Sequence, residues 1–320
     1  MEIIANTTQF YLQRETAAAI GKFDGIHIGH RRLLEEVMSR RKDGLAVCVF
    51  TFDPPPAVVF GGHSGRKGEA SSMLVLNTRD EKRLLFERMG VDILIEFPLN
   101  GETAAIKPEV FAYEILAKQM NVRFLAAGRD LSFGAKGAGN AALLQKLGPE
   151  LGFDFMTIDK VCMSGYEVSS TLVRSKVEEG DMEMAERLLG MPYMIAGKVE
   201  RGNQLGRTLG FPTINISPAE NKLLPPNGVY FSEVRYNGML LSHGRGALYR
   251  GISNVGYKPT VSHNPILGVE TYLYDFEEEI YGEEVEIYLY KFHRPEQRFD
   301  SVEQLREQLK EDIAARDKEP

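Results

Sequence analysis

The sequence predicts an α/β domain on a doubly wound parallel sheet, followed by a small antiparallel β-barrel and a C-terminal helix. Three observations lead there. Apolar runs alternate with amphipathic helical stretches between residues 17 and 189, the rhythm of βαβ units around a parallel sheet. Gly190-Met-Pro192 then breaks the last of these helices, because glycine follows helix ends and proline cannot continue them. Beyond it come short strands separated by turns, as in a barrel or sandwich. A chain of 320 residues exceeds one ordinary core, and the change of character divides it into domains 1–188 and 189–320.

Ala17–Phe23 reads as the first strand, followed by a helix over 31–41 with Leu33, Leu34, Val37 and Met38 on one face. Leu45–Phe52 is a continuous apolar run, the pattern of a strand covered on both faces. Helices are expected at Arg79–Met89 and Pro108–Met120, and strands at Asp92–Phe97, Arg123–Ala127 and Phe155–Ile158. Gly61–Gly68 and Gly134–Gly139 read as loops, and the second has the wrong glycine order for a dinucleotide fingerprint. Two short helices follow, Thr171–Glu178 and Asp181–Leu189, the latter with Asp181 as N-cap. Barrel strands are expected at Tyr193–Glu200, Gly228–Tyr236, Gly251–Val255, Val269–Phe276 and Val285–Phe292. In the last helix Val302, Leu305, Leu309 and Ile313 form an apolar stripe, read as a packing face against the barrel. Asp300 with Glu303, or Ser301 with Gln304, supplies its cap.

Composition narrows the function classes. A net charge of −7 argues against a large non-specific nucleic-acid surface, while a nucleotide pocket needs only a few local donors. Cys48 and Cys162 form no motif, and Cys48, within Leu-Ala-Val-Cys-Val-Phe, reads as a buried structural thiol. The N-terminus lacks the basic start and apolar stretch of a signal peptide, and no run approaches the ~20 apolar residues of a membrane span. A cytoplasmic protein with neither membrane nor nucleic-acid partner is expected.

Chemistry concentrates in two places. Gly21-Lys-Phe-Asp-Gly-Ile-His-Ile-Gly-His30 follows the first strand and opens the first helix. Backbone N–H groups, the positive end of a helix dipole and two imidazoles would meet a phosphate there. His27 and His30 could donate to oxygens that gain charge when an α-phosphate is displaced. The chain has no P-loop. Taken alone, the histidine pair also fits two satisfied residues at a helix start, and zinc lacks a third ligand. Ser169-Ser-Thr-Leu-Val-Arg174 is a second helix start, with hydroxyls, N–H groups and an arginine one turn on. Set across one sheet from the histidines, it reads as a triphosphate clamp.

The second place is the glycine-rich segment Gly197–Asn215, where Arg207 supplies charge and the loop has the freedom to wrap phosphates. Thr213 and Asn215 share one side of an extended stretch, and their hydroxyl and amide oxygen are hard ligands of the kind Mg²⁺ accepts. A buried Thr/Asn pair in a plain hairpin would carry the same residues. Glu270, in a strand otherwise rich in apolar residues, is a candidate general base for phosphoryl transfer to an alcohol.

Together these motifs resemble, over nearly the whole chain, the prokaryotic bifunctional riboflavin kinase/FAD synthetase family. The signature Gly-x-Phe-Asp-Gly-x-His-x-Gly-His stands at 21–30, with Gly21, Phe23, Asp24 and Gly25 ahead of the histidines. Gly-x-Asp-x-x-Phe-Gly stands at 128–134, with Gly128 and Asp130, and Ser-Ser-Thr-x-x-Arg at 169–174, with Ser170, Thr171 and Arg174. The kinase signature Gly-Arg-x-Leu-Gly-Phe-Pro-Thr-x-Asn runs over 206–215 and contains Gly206, Arg207, Gly210, Pro212, Thr213 and Asn215. Pro226-Asn-Gly-Val-Tyr230, Asn254-Val-Gly256, Pro259-Thr260, Glu270, Asp275-Phe276, Tyr281-Gly282 and Arg294-x-Glu-x-x-Phe299 follow in order.

The resemblance implies a nucleotidyltransferase-type first domain and a riboflavin kinase barrel. It implies transfer of the ATP γ-phosphoryl group to riboflavin with Glu270 as base, and Thr213 and Asn215 on Mg²⁺ and phosphate. It also implies joining of AMP from ATP to FMN, with His27 and His30 at the α-phosphate and Thr171 and Arg174 on the leaving phosphates. ATP is then a co-substrate, and FMN and FAD are the products.

The chain departs from the family pattern at a few positions. Pro55 stands where a histidine is usual and has neither a donor N–H nor a polar side chain. Leu131 replaces a phenylalanine and Asn140 an aspartate, while Ile214 replaces a common alanine and Tyr257-Lys258 fills a variable pair. Three readings stay open on this basis: a bifunctional enzyme, a riboflavin kinase with an inactive or regulatory first domain, and a non-catalytic flavin- or nucleotide-binding regulator.

Overall fold

The computed structural model describes residues 1–56, 74–202, 211–236, 247–258 and 266–318. By its internal contacts the chain forms two compact units, Met1–Ser170 and Thr171–Pro320.

The first unit contains a six-stranded, all-parallel sheet. Its main elements in chain order are β1 (Glu2–Ala5), β2 (Thr16–Ile20), α1 (Ile28–Ser39), β3 (Ala46–Asp53), α2 (Arg79–Arg88), β4 (Ile93–Pro98), the single turn α3 (Pro108–Val110) and β5 (Val122–Gly128). A two-residue ladder of β6 (Ser132–Phe133) with β7 (Gly139–Asn140), α4 (Ala141–Leu151) and β8 (Asp154–Ile158) follow. Strand order is β1-β4-β3-β2-β5-β8. The apolar run of β3 is buried along Ala46–Thr51, as a central strand covered on both faces must be. Phe50 anchors the core, its ring 5.4 Å from Phe97 and 5.5 Å from Phe111.

The structure differs locally from the sequence reading in three places. β1 was not expected; its apolar run, Ile3–Ala5, is only three residues long and exposed or half-buried. α4 was not expected either; Gly148 and Pro149, residue types that disfavour helix interiors, both fit inside its final turns. The helix expected over Pro108–Met120 begins as α3 and continues as a π-helix, Phe111–Gln119.

After the short pair β9 (Cys162–Met163) and β10 (Tyr166–Glu167), α5 (Ser170–Glu179) starts at the division between the units. The second unit continues with α6 (Met182–Leu189), whose N-cap is Asp181, through a bond from the Met184 N–H to Asp181 Oδ1. Met182, Ala185, Leu188 and Leu189 of α6 are buried, and the helix packs on the barrel strands β11 (Tyr193–Glu200) and β16 (Glu284–Arg294). The contact division therefore falls earlier than 188/189.

With β12 (Thr213–Ile216), β13 (Gly228–Tyr236), β14 (Ala247–Lys258) and β15 (Ile266–Leu273), the barrel closes in the order β11-β12-β15-β14-β13-β16. Every pairing is antiparallel. Ser253 sits fully buried between the hydroxyls of Ser232 and Thr271, each 2.8 Å away, so these polar groups are satisfied without water.

The terminal helix, α7 (Val302–Arg316), adds polar anchors to the expected apolar face. Of its apolar stripe, Leu305, Leu309 and Ile313 are half-buried and Val302 is exposed. The buried residues are Asp312 and Arg316. Arg294 reaches Asp312 through two bonds, at 2.8 and 2.6 Å, and His293 Nε2 lies 3.3 Å from the same carboxylate. Tyr274 donates to the Ile313 carbonyl and Arg250 to the Arg316 carbonyl. Charge complementarity, with paired donors and acceptors, anchors this helix beside its half-buried apolar stripe. Its cap is Ser301, which accepts from the Gln304 N–H.

Candidate functional site

In the parallel sheet β2 connects to its neighbour β3, whereas β4 crosses to β5 on the other side of β2. The loops after β2 and β5 therefore flank a topological switch point, where open α/β sheets bind ligands. The Gly21–His30 signature is the first of these loops.

Neighbouring strands hold that loop in a single shape. The Gly21 N–H donates to the Phe50 carbonyl, and the Thr51 hydroxyl donates to the Lys22 carbonyl. Phe23 is fully buried at φ 49°, its ring 5.4 Å from Phe86 and 5.0 Å from His30. A non-glycine residue in that region costs about 1 kcal/mol or more, which burying the aromatic ring offsets. Gly25 follows at φ 86°, a conformation glycine adopts without a steric penalty. Asp24 is held at both ends: Oδ1 accepts from the Leu76 N–H at 2.8 Å, and its carbonyl accepts from the Ser170 hydroxyl at 2.6 Å.

His27 caps α1, its Nδ1 accepting from the His30 N–H at 3.3 Å. The proton of the neutral ring is then on Nε2, which is left to donate elsewhere. The two imidazoles stack, centroids 3.8 Å apart and planes 16° from parallel. Burial pushes the His27 pKa down to about 4, despite the raising influence of Asp130. Burial also pushes His30 well below its ordinary value, and repulsion from His27 adds to the effect. Both rings are neutral at pH 7, and among the described residues His30 Nδ1 is buried with no hydrogen-bond partner.

The structure thus brings His27, His30, Asp24 and Ser170 together, with Asp130 close enough to act on His27. Gly128 ends β5, and Asp130 is exposed, 3.6 Å from Lys160. Thr171 is exposed and Arg174 half-buried on α5, within the second unit. Of the departures, Leu131 packs partly against the core, Asn140 is the N-cap of α4 and accepts from the Leu143 N–H, and Pro55 is partly exposed. Asn and Asp cap helices about equally well, so Asn140 keeps the local structure.

Sequence reasoning missed a charged cluster at the carboxyl end of β4. Glu96 is buried and accepts from Arg79 at 2.7 Å and from Arg83 at 2.9 and 2.6 Å. Burial works to raise its carboxyl, but the hydrogen bonds from Arg83 and Arg79 outweigh it and hold the pKa below the ordinary value. Lys82 is buried nearby; burial lowers its pKa, against the pull of Asp24, Asp53 and Glu96. The available signal was the set of basic residues one turn apart on α2.

In the barrel, Asn215, Glu270 and Asn254 occupy one rung across β12, β15 and β14. Directly paired residues of antiparallel strands emerge on the same face. Thr213, two residues before Asn215, shares that face, and its hydroxyl donates to Glu270 Oε1 at 2.6 Å. Asn215 is buried, Thr213 half-buried, and Glu270 and Pro212 exposed. A cleft of about 330 Å³ opens beside them, lined by Gly202, Pro212, Thr213, Asn215, Phe276 and Tyr281 among others. A hydroxyl that gives its hydrogen to a carboxylate keeps its lone pairs, so Thr213 with the Asn215 amide oxygen forms a hard-oxygen donor pair. Gly206, Arg207, Gly210, Pro259, Thr260 and the Gly61–Gly68 loop lie outside the described residues.

Comparison with known proteins gives a family match for each half of the chain. Residues 10–172 match the family model described as FAD synthetase, and residues 189–318 match the one described as riboflavin kinase. The chain is 36% identical to the bifunctional riboflavin kinase/FMN adenylyltransferase of Escherichia coli K12, over 95% of this chain and 93% of that protein. It is 35% identical to the protein of the same description from Listeria monocytogenes, over 96% and 93%, and 31% identical to that of Bacillus subtilis, over 94% and 91%. Among solved structures, the crystal structure of a macrolide-efflux protein from Streptococcus pneumoniae superposes with a TM-score of 0.83 at 28% identity, covering 99% of both chains. Among the described residues no helix is long and apolar enough to cross a membrane.

Proposed function

Because the chain belongs to the bifunctional riboflavin kinase/FMN adenylyltransferase family, we propose that its barrel phosphorylates riboflavin to FMN and that its α/β unit adenylylates FMN to FAD. The functional division follows the expected domains, 1–188 and 189–320, and the reactions take place in the cytoplasm, with ATP as co-substrate of both.

In the barrel, Glu270 takes the proton of the riboflavin 5′-hydroxyl as that oxygen attacks the γ-phosphorus of ATP and ADP leaves. The observation that carries this reading is the 2.6 Å bond from Thr213 to Glu270, with Asn215 on the same rung. It orients the carboxylate and leaves oxygen lone pairs of Thr213 and Asn215 for a divalent cation. Mg²⁺ held there would neutralise charge on the transferring phosphate. Gly206, Arg207, Gly210 and Pro212 are assigned to the ATP phosphates.

In the α/β unit, a phosphate oxygen of FMN attacks the α-phosphorus of a second ATP, and pyrophosphate leaves. His27 and His30 stabilise the charge that develops on the α-phosphate oxygens, as N–H donors and not as cations. Gly21, Phe23, Asp24, Gly25, Gly128 and Asp130 line the nucleotide, and Ser170, Thr171 and Arg174 take the leaving phosphates.

Pro55 favours a second reading, in which only the kinase step survives, since this position has neither a donor N–H nor a polar side chain where the family carries histidine. One assay separates the two. Purified protein is incubated with riboflavin, ATP and Mg²⁺, and the flavins are resolved by chromatography. FMN and FAD together are expected; FMN alone establishes the second reading, and neither product sinks both.

A further inference from the structure

The rung that carries Glu270 ends in a polar group to which neither reaction above gives a role. Asn254 pairs with Glu270 across β14 and β15, so their Cβ atoms are about 5 Å apart on one face. The Asn254 Nδ2 donates to Glu296 Oε1 at 3.1 Å, and Asn227 donates to the other oxygen of that carboxylate at 3.3 Å. Gly256, two residues along the same face, provides the space: a Cβ there would lie 1.9 Å from Glu296 Oε1.

This contact fixes which way the amide faces. A carboxylate only accepts hydrogen bonds, so the nitrogen of Asn254 must face Glu296 and the oxygen must occupy the other arm of the planar group. That oxygen, Oδ1, is buried and has no hydrogen-bond partner among the described residues. Leaving a buried acceptor unmet costs about 1–3 kcal/mol, and a group held in that state by a dedicated carboxylate suits a ligand that brings a donor.

Resting on the reading of the barrel as a riboflavin kinase, we infer that Asn254 Oδ1 accepts a hydrogen bond from a secondary hydroxyl of the polyol chain whose terminal hydroxyl Glu270 deprotonates. One rung of separation matches a hydroxyl close to the reacting one, whereas the flavin ring lies at the far end of the chain. The donor class follows from the atom: an oxygen acceptor selects O–H and rejects an analogue lacking it, because the acceptor then stays buried and unpaired. Glu296, with Gly256 leaving it room, acts through Asn254 as a positioning residue.

The test compares riboflavin with analogues lacking the 4′- or the 3′-hydroxyl, in full-length wild type and Asn254→Ala. Wild type is expected to lose roughly 10- to 100-fold in kcat/KM on one of the two analogues. Asn254→Ala is expected to lose a similar factor on riboflavin and nothing further on that analogue. An alanine variant that still discriminates the analogues as wild type does overturns the inference. A merely structural role for Asn254 would lower every substrate equally and leave that discrimination intact. Wild type that makes no FMN from riboflavin overturns the kinase reading itself, which is a separate outcome. Should the alanine variant lack a cooperative melt, Asn254→Ser, whose hydroxyl is too short to replace the amide oxygen, carries the same comparison.

Discussion

His27 and His30 stack at 3.8 Å with neither ring charged at pH 7, so the pair offers oriented N–H dipoles in place of fixed cations. The folded-state pKa values lie below the ordinary 6.5, so on acidification the unfolded chain takes up protons that the folded chain refuses. Stability contributed by the neutral pair is fully present above about 6.5 and falls as pH drops toward about 4. Thermal melts of wild type and of a His27→Asn/His30→Asn double variant across that window are expected to diverge, with wild type losing more; parallel losses would contradict the assignment. Asparagine is chosen because it keeps the N-cap of α1. At the other centre, Glu270→Gln removes the proton acceptor but keeps the shape. FMN formation is expected to fall by a factor on the order of 10² or more, with conversion of supplied FMN to FAD unchanged. Loss of both steps equally would refute separate sites. The identity of these residues was legible because His-x-Gly-His and Pro-Thr-x-Asn keep unusual residue types at fixed spacing. Asn254 was visible only as part of a motif, since its bond to Glu296 joins positions 42 residues apart.

Among the elements, α7 shows that an amphipathic pattern can miss the strongest anchor. Leu305, Leu309 and Ile313 are half-buried on one face, and Asp312 on that face is only 1% exposed and bound by Arg294 through both oxygens. Removing one partner of a buried ion pair leaves the other uncompensated, at a cost of about 3 kcal/mol. Asp312→Ala is therefore expected to destabilise the barrel unit by about that amount in urea titration, and Leu309→Ala by about 1 kcal/mol or less. The reverse order would make the apolar stripe the stronger anchor. Strands β11 and β13 were legible to the residue because alternation and turn residues bound them. β1 and α4 were not: the apolar run of the first is only three residues long, and Gly148 and Pro149 sit within the second.

For the whole molecule, two active units in one chain mean that FMN made in the barrel must reach the α/β unit. If it travels through solvent, an equimolar mixture of Glu270→Gln and the His27→Asn/His30→Asn variant should regain conversion of riboflavin to FAD, read as FAD by chromatography. Failure of the mixture, with each variant retaining its own half-reaction, would mean that FMN passes only within one chain. The order of elements, the change of architecture after residue 190 and the residue types of both centres were determined by the sequence alone, because local periodicity and contiguous motifs record them. Only the tertiary structure decided the switch point that places the histidines, the tautomer and neutrality of His27, the rung uniting Asn215, Glu270 and Asn254, and the polar docking of α7. Each of these depends on strand order, register or burial, which arise from contacts between residues far apart in the chain.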